Sequence, residues 1–381
     1  MFVAKINGQD IVNTSYSKED VTILLKDLTN VMVEQSTEER ERLIQSGVHY
    51  SEMLPEEKEP SKEYMELYEK ALSEKKSEIA LGIAVVGNII YSKTTGTPII
   101  VSLARAGIPV GILLKRYIEK EKGVACRHYA ISIIRDKGID INAMEYIYDE
   151  ICRIGDSKVS NIFFVDGWTG KGVIKDQLSE AVKELKEQDS KWDGLRDDLY
   201  VLADPANVTQ YSGTREDFLL PSACLNSTVS GLTSRTILNS KIDVKNGDFH
   251  GAVYFKKFEN IDKSNEFIDE ITKEFDTVYC ADSDGTPIED GWTGMKIVNK
   301  LCKKYHIQDY KKVKPGIGET TRVLLRRVPW KVIVNTTIDM ENDTDIKHIL
   351  ELCKEKNIPI ERHYIGHYKV CGIIKDLSAD A

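Results

Sequence analysis

The sequence predicts an α/β protein with a doubly wound parallel sheet, followed by a smaller C-terminal α/β unit. Between residues 97 and 203, short β-rich apolar segments alternate with helical segments, which is typical of βαβ units. A second run of alternating helices and strands follows after residue 256. The length of 381 residues is sufficient for two hydrophobic cores.

The first unit is predicted element by element from apolar spacing. Residues 1–60 form an N-terminal extension that contains a charged helical stretch at Glu34–Ile44. Ser61 is the N-cap of a helix, because apolar residues recur at helical spacing after it. Four strands and three helices then follow within a domain at 61–255. The strands are Thr97–Leu103, Cys126–Ile134, Asn161–Val165 and Leu199–Ala203, and the helices are Gly107–Ile118, Met144–Ile151 and Val173–Lys186.

The segment Ser222–Ser234 has no clear period, and we expect an ordered loop because it combines apolar anchors with little charge. A C-terminal domain is predicted at 256–381. Its helices are Ile261–Phe275, Thr320–Arg327 and Asp345–Lys356, and its strands are Thr277–Ala281, Lys331–Asn335 and Ile358–Tyr364. The pentapeptide Asp-Gly-Trp-Thr-Gly occurs at 166–170 and again at 290–294, and its differing flanks favour coincidence over duplication.

Composition excludes several classes of protein. The chain is 41% hydrophobic and 30% charged, as expected of a globular protein, and its net charge of −9 argues against nucleic-acid affinity over the whole surface. No apolar run reaches the roughly 20 residues that span a bilayer, and the N-terminus lacks the pattern of a signal peptide. Seven dispersed cysteines fit reduced thiols in the cytoplasm and show no zinc-ligand spacing, so no protein-bound metal is expected.

The strongest chemical signal is the loop Asp166–Gly172, which follows a buried strand and leads into a helix. Its glycines allow backbone N–H groups to approach an anion, and the helix N-terminus favours negative charge. The Thr169 hydroxyl can donate to a phosphate oxygen, and the Asp166 carboxylate can accept from two vicinal hydroxyls. This combination suits ribose 5-phosphate. The alternative is a helix start whose glycines serve turn geometry only.

A second loop, Ala104–Gly107, also leads from a strand into a helix. Arg105 is the one charge in an apolar run, and an isolated guanidinium there indicates an anion. The alternative is a surface arginine beside a turn. The pair of loops together predicts a site for two anionic groups.

The two loops resemble those of type I phosphoribosyltransferases, whose pyrophosphate loop is similar to Leu103–Gly107 and whose ribose-phosphate loop is similar to Phe163–Gly172. This chain departs from that family because it has one acid, Asp166, where two adjacent acids are usual. More closely, the chain resembles a bacterial phosphoribosyltransferase family with a C-terminal Pelota-like RNA-binding domain. That family is associated with tellurite resistance and stress response, and it is also carried under a cysteine-protease name, StiP. Motifs similar to it are 49–54, the Asp166–Gly172 loop and 219–236.

The resemblance implies transfer of a phosphoribosyl group from phosphoribosyl pyrophosphate to a base-like acceptor, as part of stress-linked nucleoside biosynthesis. Mg²⁺ would be bound through the substrate diphosphate, and the implied catalytic residues are Asp166, Arg105 and Asp204. The implied ribose-phosphate ligands are Asp166, Gly167, Thr169, Gly170, Lys171 and Gly172. The implied pyrophosphate ligands are Ala104, Arg105, Ala106, Gly107, Arg135 and Lys137, the last two from a mobile hood. The resemblance leaves open whether the protein forms a homodimer.

The last part of the chain, from about residue 310 to 381, carries a basic patch in an acidic protein. Seven basic residues stand against two acids between Asp309 and Lys331, a ratio that indicates phosphate contact but also fits a solvated helix face. The turn Lys314–Arg322 is similar to the Pelota and ribosomal-protein fold that binds kinked RNA. The RNA contacts implied by this similarity are Lys314, Gly316, Gly318, Glu319, Thr320 and Arg322.

Two other functions remain open from the residues alone. One is a cysteine hydrolase with Cys224 as nucleophile and His250 or His128 as base, because a reactive thiol needs a nearby base. Cys224 matches no papain or caspase signature. The other is a non-catalytic sensor that binds a phosphoribosyl metabolite in the first domain and RNA in the second.

Overall fold

The structure is a computed structural model that describes residues 5–279 and 291–375. The helices and strands of the first domain, in chain order, are β1 (Lys5–Ile6), β2 (Gln9–Asp10), β3 (Thr22–Ile23), β4 (Lys26–Asp27), β5 (Glu34–Gln35), α1 (Thr37–Gln45), β6 (Leu54–Pro55), α2 (Lys62–Ser92), β7 (Ile99–Leu103), α3 (Gly107–Lys122), β8 (Arg127–Ile131), β9 (Ile133–Ile134), β10 (Gly138–Ile139), α4 (Ile141–Ile154), β11 (Ile162–Trp168), α5 (Val173–Gln188), β12 (Leu199–Ala203), β13 (Ser212–Thr214), α6 (Pro221–Cys224), β14 (Gly251–Ala252) and α7 (Ser264–Thr272).

A six-stranded parallel sheet with the order β13-β12-β11-β7-β8-β3 forms the centre of this domain. The chain runs outward from β7 to β8 on one side and then returns to β11 and β12 on the other. Val165 of β11 pairs with Ser102 of β7, so these two strands end side by side. The carboxyl ends of β7 and β11 therefore flank the topological switch point, where ligands of such sheets bind.

The sequence predictions for this sheet are confirmed at β7, β11 and β12, and those for helices at α3, α4 and α5. Ser61 caps α2 by accepting a hydrogen bond from the Tyr64 N–H. The predicted strand Cys126–Ile134 is divided into β8 and β9. The break falls at Ser132, whose carbonyl accepts from the Asp140 N–H and whose hydroxyl contacts the His250 ring at 2.9 Å.

The ends of the first domain differ from the predicted divisions at residues 61 and 256. Residues of the expected N-terminal extension form β3, which adds an edge strand to the central sheet through Thr22 and Ile23. Helix α7 packs against α2 and α3, and its Phe267, Ile268 and Ile271 are fully buried. The chain before β3 and after β14 therefore belongs to the first hydrophobic core.

Helices α2 and α3 pack against each other and cover one face of the sheet. Small residues permit the close approach: a Cβ on Gly213 would lie 2.6 Å from the Gly82 carbonyl oxygen, and one on Gly87 would lie 2.5 Å from the Tyr117 ring. No real Cβ fits at such distances, so α2 sits against β13 and α3 only because glycine occupies both positions.

The second domain consists of α8 (Thr293–Tyr305), β15 (Val313–Pro315), α9 (Ile317–Arg326), β16 (Pro329–Asn335), α10 (Lys347–Glu355), β17 (Ile360–His363) and β18 (Val370–Ile374). Its sheet has the order β15-β18-β16-β17. The predicted helices and strands at α9, β16, α10 and β17 are confirmed, whereas α8, β15 and β18 were not predicted. Of the predicted strand Thr277–Ala281, residues 277–279 form no strand and the rest lies outside the described residues.

Candidate functional site

Two loops leave the carboxyl ends of β7 and β11 and contact each other at the switch point. A Cβ on Gly107 would lie 2.4 Å from the Val165 carbonyl oxygen, and a Cβ on Gly167 would lie 3.0 Å from the Ala106 carbonyl oxygen. The loops Ala104–Gly107 and Asp166–Gly172 therefore meet backbone to backbone. The glycines serve this contact, so their presence alone is no evidence for an anion.

The polar side chains of these loops contact separate parts of the domain. The Arg105 guanidinium donates to the Thr233 carbonyl at 2.8 Å. The Thr169 hydroxyl, which is buried, donates to the Asp204 carboxylate at the end of β12. Each group thus already has a partner within the first domain, and the ligand roles predicted for Arg105 and Thr169 stay predictions. The ligand roles predicted for Ala104, Ala106, Gly107, Gly167 and Gly172 stay predictions.

The end of the Asp166–Gly172 loop contacts the second domain. Lys171 donates to the Tyr310 carbonyl at 2.7 Å, and the Tyr368 hydroxyl donates to the Gly170 carbonyl at 2.6 Å. Burial, with a smaller contribution from Lys314, lowers the pKa of Lys171 to about 8. Trp292 packs on Gly172, where a Cβ would lie 2.5 Å from the indole ring. The loop therefore works as a docking surface between domains.

Asp204 is completely buried and forms several hydrogen bonds with the residues around it. Its carboxylate accepts from Thr169, from Arg215, and from the N–H groups of Val208 at 2.9 Å and Thr209 at 3.0 Å. Such a saturated carboxylate organises the turn after β12. The catalytic role that the resemblance implied for Asp204 stays a prediction.

The predicted mobile hood, Arg135–Gly138, is the turn between β9 and β10. The Lys137 N–H donates to the Ile134 carbonyl, and the Arg135 N–H donates to the Tyr50 hydroxyl at 3.1 Å. Lys137 is exposed, whereas the Arg135 side chain is only 29% exposed. The pyrophosphate role predicted for both residues stays a prediction.

The turn predicted to bind RNA faces the first domain. Asp217, which is buried, accepts from the Ile317 N–H through one carboxylate oxygen and from the Lys369 N–H through the other, both at 2.9 Å. A Cβ on Gly316 would lie 3.3 Å from the same carboxylate. The beginning of α9 and the start of β18 are thereby fixed to the first domain by one side chain.

The other predicted RNA contacts also lie at or under this junction. Thr320 is fully buried, and its hydroxyl accepts from the Gly372 N–H at 2.8 Å. Glu319 forms ion pairs with Lys314 at 3.7 Å and with Arg322 at 3.0 Å. Arg322 donates to the Ala223 carbonyl at 3.1 Å and lies over the Trp168 ring. Their role in RNA binding stays a prediction, and contact by Thr320 requires the junction to rearrange.

A cavity lies between the two domains at this junction. The first domain contributes the end of β11, the end of β12 and the segment 216–223, and the second contributes the beginning of α9. Its lining residues include Trp168, Thr169, Glu216, Ala223, Gly318 and Glu319. Both the glycine-rich loop and the segment that leads to Cys224 therefore border the same cavity.

Cys224 ends the short helix α6 directly beside this cavity. It is 2% exposed, and its thiol donates to the Leu220 carbonyl at 3.7 Å. Its neighbour Ala223 lines the cavity and is covered by α9, since a Cβ on Gly318 would lie 3.2 Å from the Ala223 Cβ. The second domain thus covers the residue next to Cys224, while α6 itself packs against both α2 and α9.

The two histidines expected to serve as base are bound elsewhere. The His128 ring contacts the Ser102 hydroxyl at 2.7 Å and the Asp20 carbonyl at 2.9 Å, which occupies both nitrogens. The His250 ring contacts Ser132. Burial lowers the pKa of both rings to about 4. Neither ring acts on Cys224 in this arrangement, so the expected pairing of Cys224 with His128 or His250 is corrected.

The other described cysteines lie in less suitable surroundings for a nucleophile. Burial raises the pKa of Cys126, Cys302, Cys353 and Cys371, to about 11 for Cys353 and about 12 for Cys371. Cys152 is exposed on α4. Cys280 lies outside the described residues. Among the cysteines that the structure describes in the first domain, Cys224 is the one beside the cavity.

Neither a metal site nor a membrane span is found in the described residues. No group of three or more His, Cys, Asp or Glu side chains within 5–279 and 291–375 could hold a metal ion. Over the same residues, none of the helices is sufficiently long and apolar to cross a bilayer. The Mg²⁺ that the resemblance implied through a substrate diphosphate stays a prediction.

Comparison with known proteins gives two family matches. Residues 14–272 match the family described as tellurite-like stress resistance cysteine protease StiP, and residues 292–376 match the PELOTA RNA binding domain. A protein of Acinetobacter baylyi named Cysteine protease StiP is 34% identical over 379 residues, which covers 95% of this chain and 94% of the relative. No solved structure matches.

These matches contradict the transferase activity that the loop motifs suggested. The family description and the relative both name a cysteine protease. The prediction of a phosphoribosyltransferase that uses phosphoribosyl pyrophosphate is therefore wrong. The physical reason is that the polar groups of the Asp166–Gly172 loop are engaged by Asp204 and the second domain. The tellurite-stress and RNA-binding parts of the resemblance agree with the matches.

The Asp166 carboxyl gives a prediction for the pH dependence of stability. It accepts from the Gly167 N–H, and burial raises its pKa from 3.8 to about 7. The folded protein therefore binds this proton more tightly than the unfolded chain, so ionisation destabilises the fold increasingly between about pH 4 and pH 7. We expect Asp166→Asn to be as stable as wild type near pH 4 and more stable at pH 8.

Urea denaturation of both proteins at several pH values measures this effect. The difference in unfolding free energy should grow up to about pH 7 and then level off. A constant difference across that range would contradict the raised pKa.

Proposed function

The chain belongs to the StiP family, and on this premise we propose that it is a cysteine hydrolase that cleaves peptide bonds with Cys224 as nucleophile. The match of residues 14–272 and the 34% identical relative carry this proposal. The structure supports the choice of residue, since Cys224 lies beside the interdomain cavity whereas Cys126 is enclosed in the core and Cys152 lies on an outer helix.

The chemistry requires a thiolate at Cys224. The sulfur attacks the carbonyl carbon of the peptide, the C–N bond breaks, and the amine leaves with a proton supplied by a general acid. Water then hydrolyses the thioester and regenerates the thiol. With 2% of Cys224 exposed and both candidate histidines bound elsewhere, the observed arrangement is a closed form. Catalysis requires α9 to move away from α6.

A second candidate function is RNA binding by the second domain, which the match of residues 292–376 favours. Exposed basic side chains are available on this domain without any rearrangement, including Lys303, Lys304, Lys311 and Arg327. The similarity of the first domain's parallel sheet to the fold of type I phosphoribosyltransferases stays a proposal. It concerns the fold and not the activity.

Substitution of the proposed nucleophile tests the hydrolase function. We expect Cys224→Ser to lower cleavage of a fluorescently labelled protein substrate by about a thousandfold or more, because a serine hydroxyl without an activating base is a poor nucleophile. Cys152→Ser is the matched control and should retain wild-type activity, since Cys152 is exposed on α4. Full activity of the Cys224→Ser variant would rule out this nucleophile.

Salt-dependent RNA binding tests the second function. Each phosphate contact contributes about one unit to the slope of log affinity against log salt. We expect Lys314→Gln to weaken binding of a structured RNA and to reduce that slope by about one. Lys62→Gln, which removes an exposed cation from the first domain, should change neither quantity. If the slope of log affinity against log salt is the same for both variants and wild type, Lys314 does not contact the RNA.

A further inference from the structure

The side chain of Arg322 reaches from the second domain to the residue beside Cys224. It extends from α9, and its Nε donates to the Ala223 carbonyl at 3.1 Å. Its guanidinium carbon lies 5.6 Å from the centre of the Trp168 ring at the end of β11, which is within the range of a cation–π contact. One cation therefore contacts both the segment that carries the proposed nucleophile and an aromatic ring of the interdomain cavity.

The first domain also places two carboxylates at this cavity. Glu216 and Asp217 line it together with Trp168, and the Glu216 side chain is exposed. Asp217 is buried and accepts from the N–H groups of Ile317 and Lys369, which both belong to the second domain. A movement of the second domain away from the first therefore releases the Asp217 carboxylate from both donors.

The cation that lies here in the closed form belongs to the part of the molecule that moves. Arg322 donates to Glu319 of the same helix at 3.0 Å, and Lys314, which also pairs with Glu319, is likewise in the second domain. A movement of this domain removes the three charges together. The first domain keeps the Trp168 ring, the Ala223 carbonyl and the two carboxylates. We call this set the Trp168 site, and each of its members attracts positive charge.

We propose that the Trp168 site binds an arginine side chain of the peptide substrate, and that Arg322 occupies it in the closed form. A guanidinium has a flat face for an aromatic ring and several N–H donors for a carbonyl and a carboxylate. Ala223 directly precedes Cys224, so the bound side chain belongs to a substrate residue close to the peptide bond that is cleaved. This inference rests on the hydrolase function proposed above and adds the class of substrate.

Binding of two matched peptides to the full chain with Cys224→Ser tests the proposal without turnover. One labelled peptide has a single arginine within an alanine sequence, and the other has citrulline at that position, which has a similar shape and no charge. Fluorescence anisotropy measures both affinities. In the chain that also carries Arg322→Gln, we expect the arginine peptide to bind about tenfold more tightly than the citrulline peptide, because a charge-assisted hydrogen bond distinguishes them.

Arg322 itself should compete with the arginine peptide. With Arg322 present, we expect that peptide to bind about tenfold more weakly than it does to the Arg322→Gln chain, because its place is occupied. The proposal is overturned if Arg322→Gln leaves the affinity unchanged, if the two peptides bind equally well, or if neither binds.

A carboxylate variant and a matched control locate the site. Glu216→Gln, added to the Arg322→Gln chain, should reduce the preference for arginine over citrulline about threefold or more, since an acceptor for the guanidinium loses its charge. Glu187→Gln removes an exposed carboxylate from α5 and should leave the preference unchanged. Equal urea midpoints exclude a folding defect. An unchanged preference in Glu216→Gln would also overturn the proposal.

These results are independent of the test of the nucleophile, because binding is measured without cleavage. If Cys224→Ser retains full activity while the arginine peptide is still preferred, the nucleophile lies elsewhere and the Trp168 site stands. If Cys224→Ser loses activity and neither peptide is preferred, the hydrolase function stands and the Trp168 site is wrong.

Discussion

The Asp217 carboxylate is the contact on which the arrangement of this molecule depends. It lies in the first domain and accepts two backbone N–H groups of the second, from Ile317 and Lys369. The beginning of a helix leaves N–H groups without partners, and a buried carboxylate is a strong acceptor for them. Because both oxygens are used, one side chain fixes α9 and β18 together. The removal of this residue would leave two buried donors unpaired.

This docking brings three functional elements to one place. The Asp166–Gly172 loop, the segment that ends in Cys224, and the turn that resembles an RNA-binding turn all border the same cavity. The second domain covers Ala223, next to Cys224, and at the same time buries part of its own turn. The movement of α9 that we propose for catalysis would uncover this residue and the turn together.

The fold was largely predictable from the sequence, whereas the site was not. All of β12 and the residues Ile162–Val165 of β11 are buried in a parallel sheet, and this burial produces the continuous apolar runs that identify the two strands. The strands β3 and β13 have two and three residues, which is too short for any periodic signal. The loop motif misled the functional prediction because glycines next to a helix start serve an anion and a close backbone contact equally well. That Thr169 and Lys171 contact Asp204 and Tyr310 depends on tertiary structure alone.

The rate at which an alkylating reagent modifies Cys224, followed by peptide mass spectrometry, tests the closed arrangement most directly. Exposed Cys152 serves as the internal reference. A variant with Lys75→Ala and Tyr368→Phe loses two interdomain contacts, the Lys75–Asp345 ion pair and the hydrogen bond to Gly170, without a change at α6. We expect slow modification of Cys224 in wild type and faster modification in the variant, with the rate for Cys152 unchanged. Equal rates for Cys224 in the two proteins would contradict it.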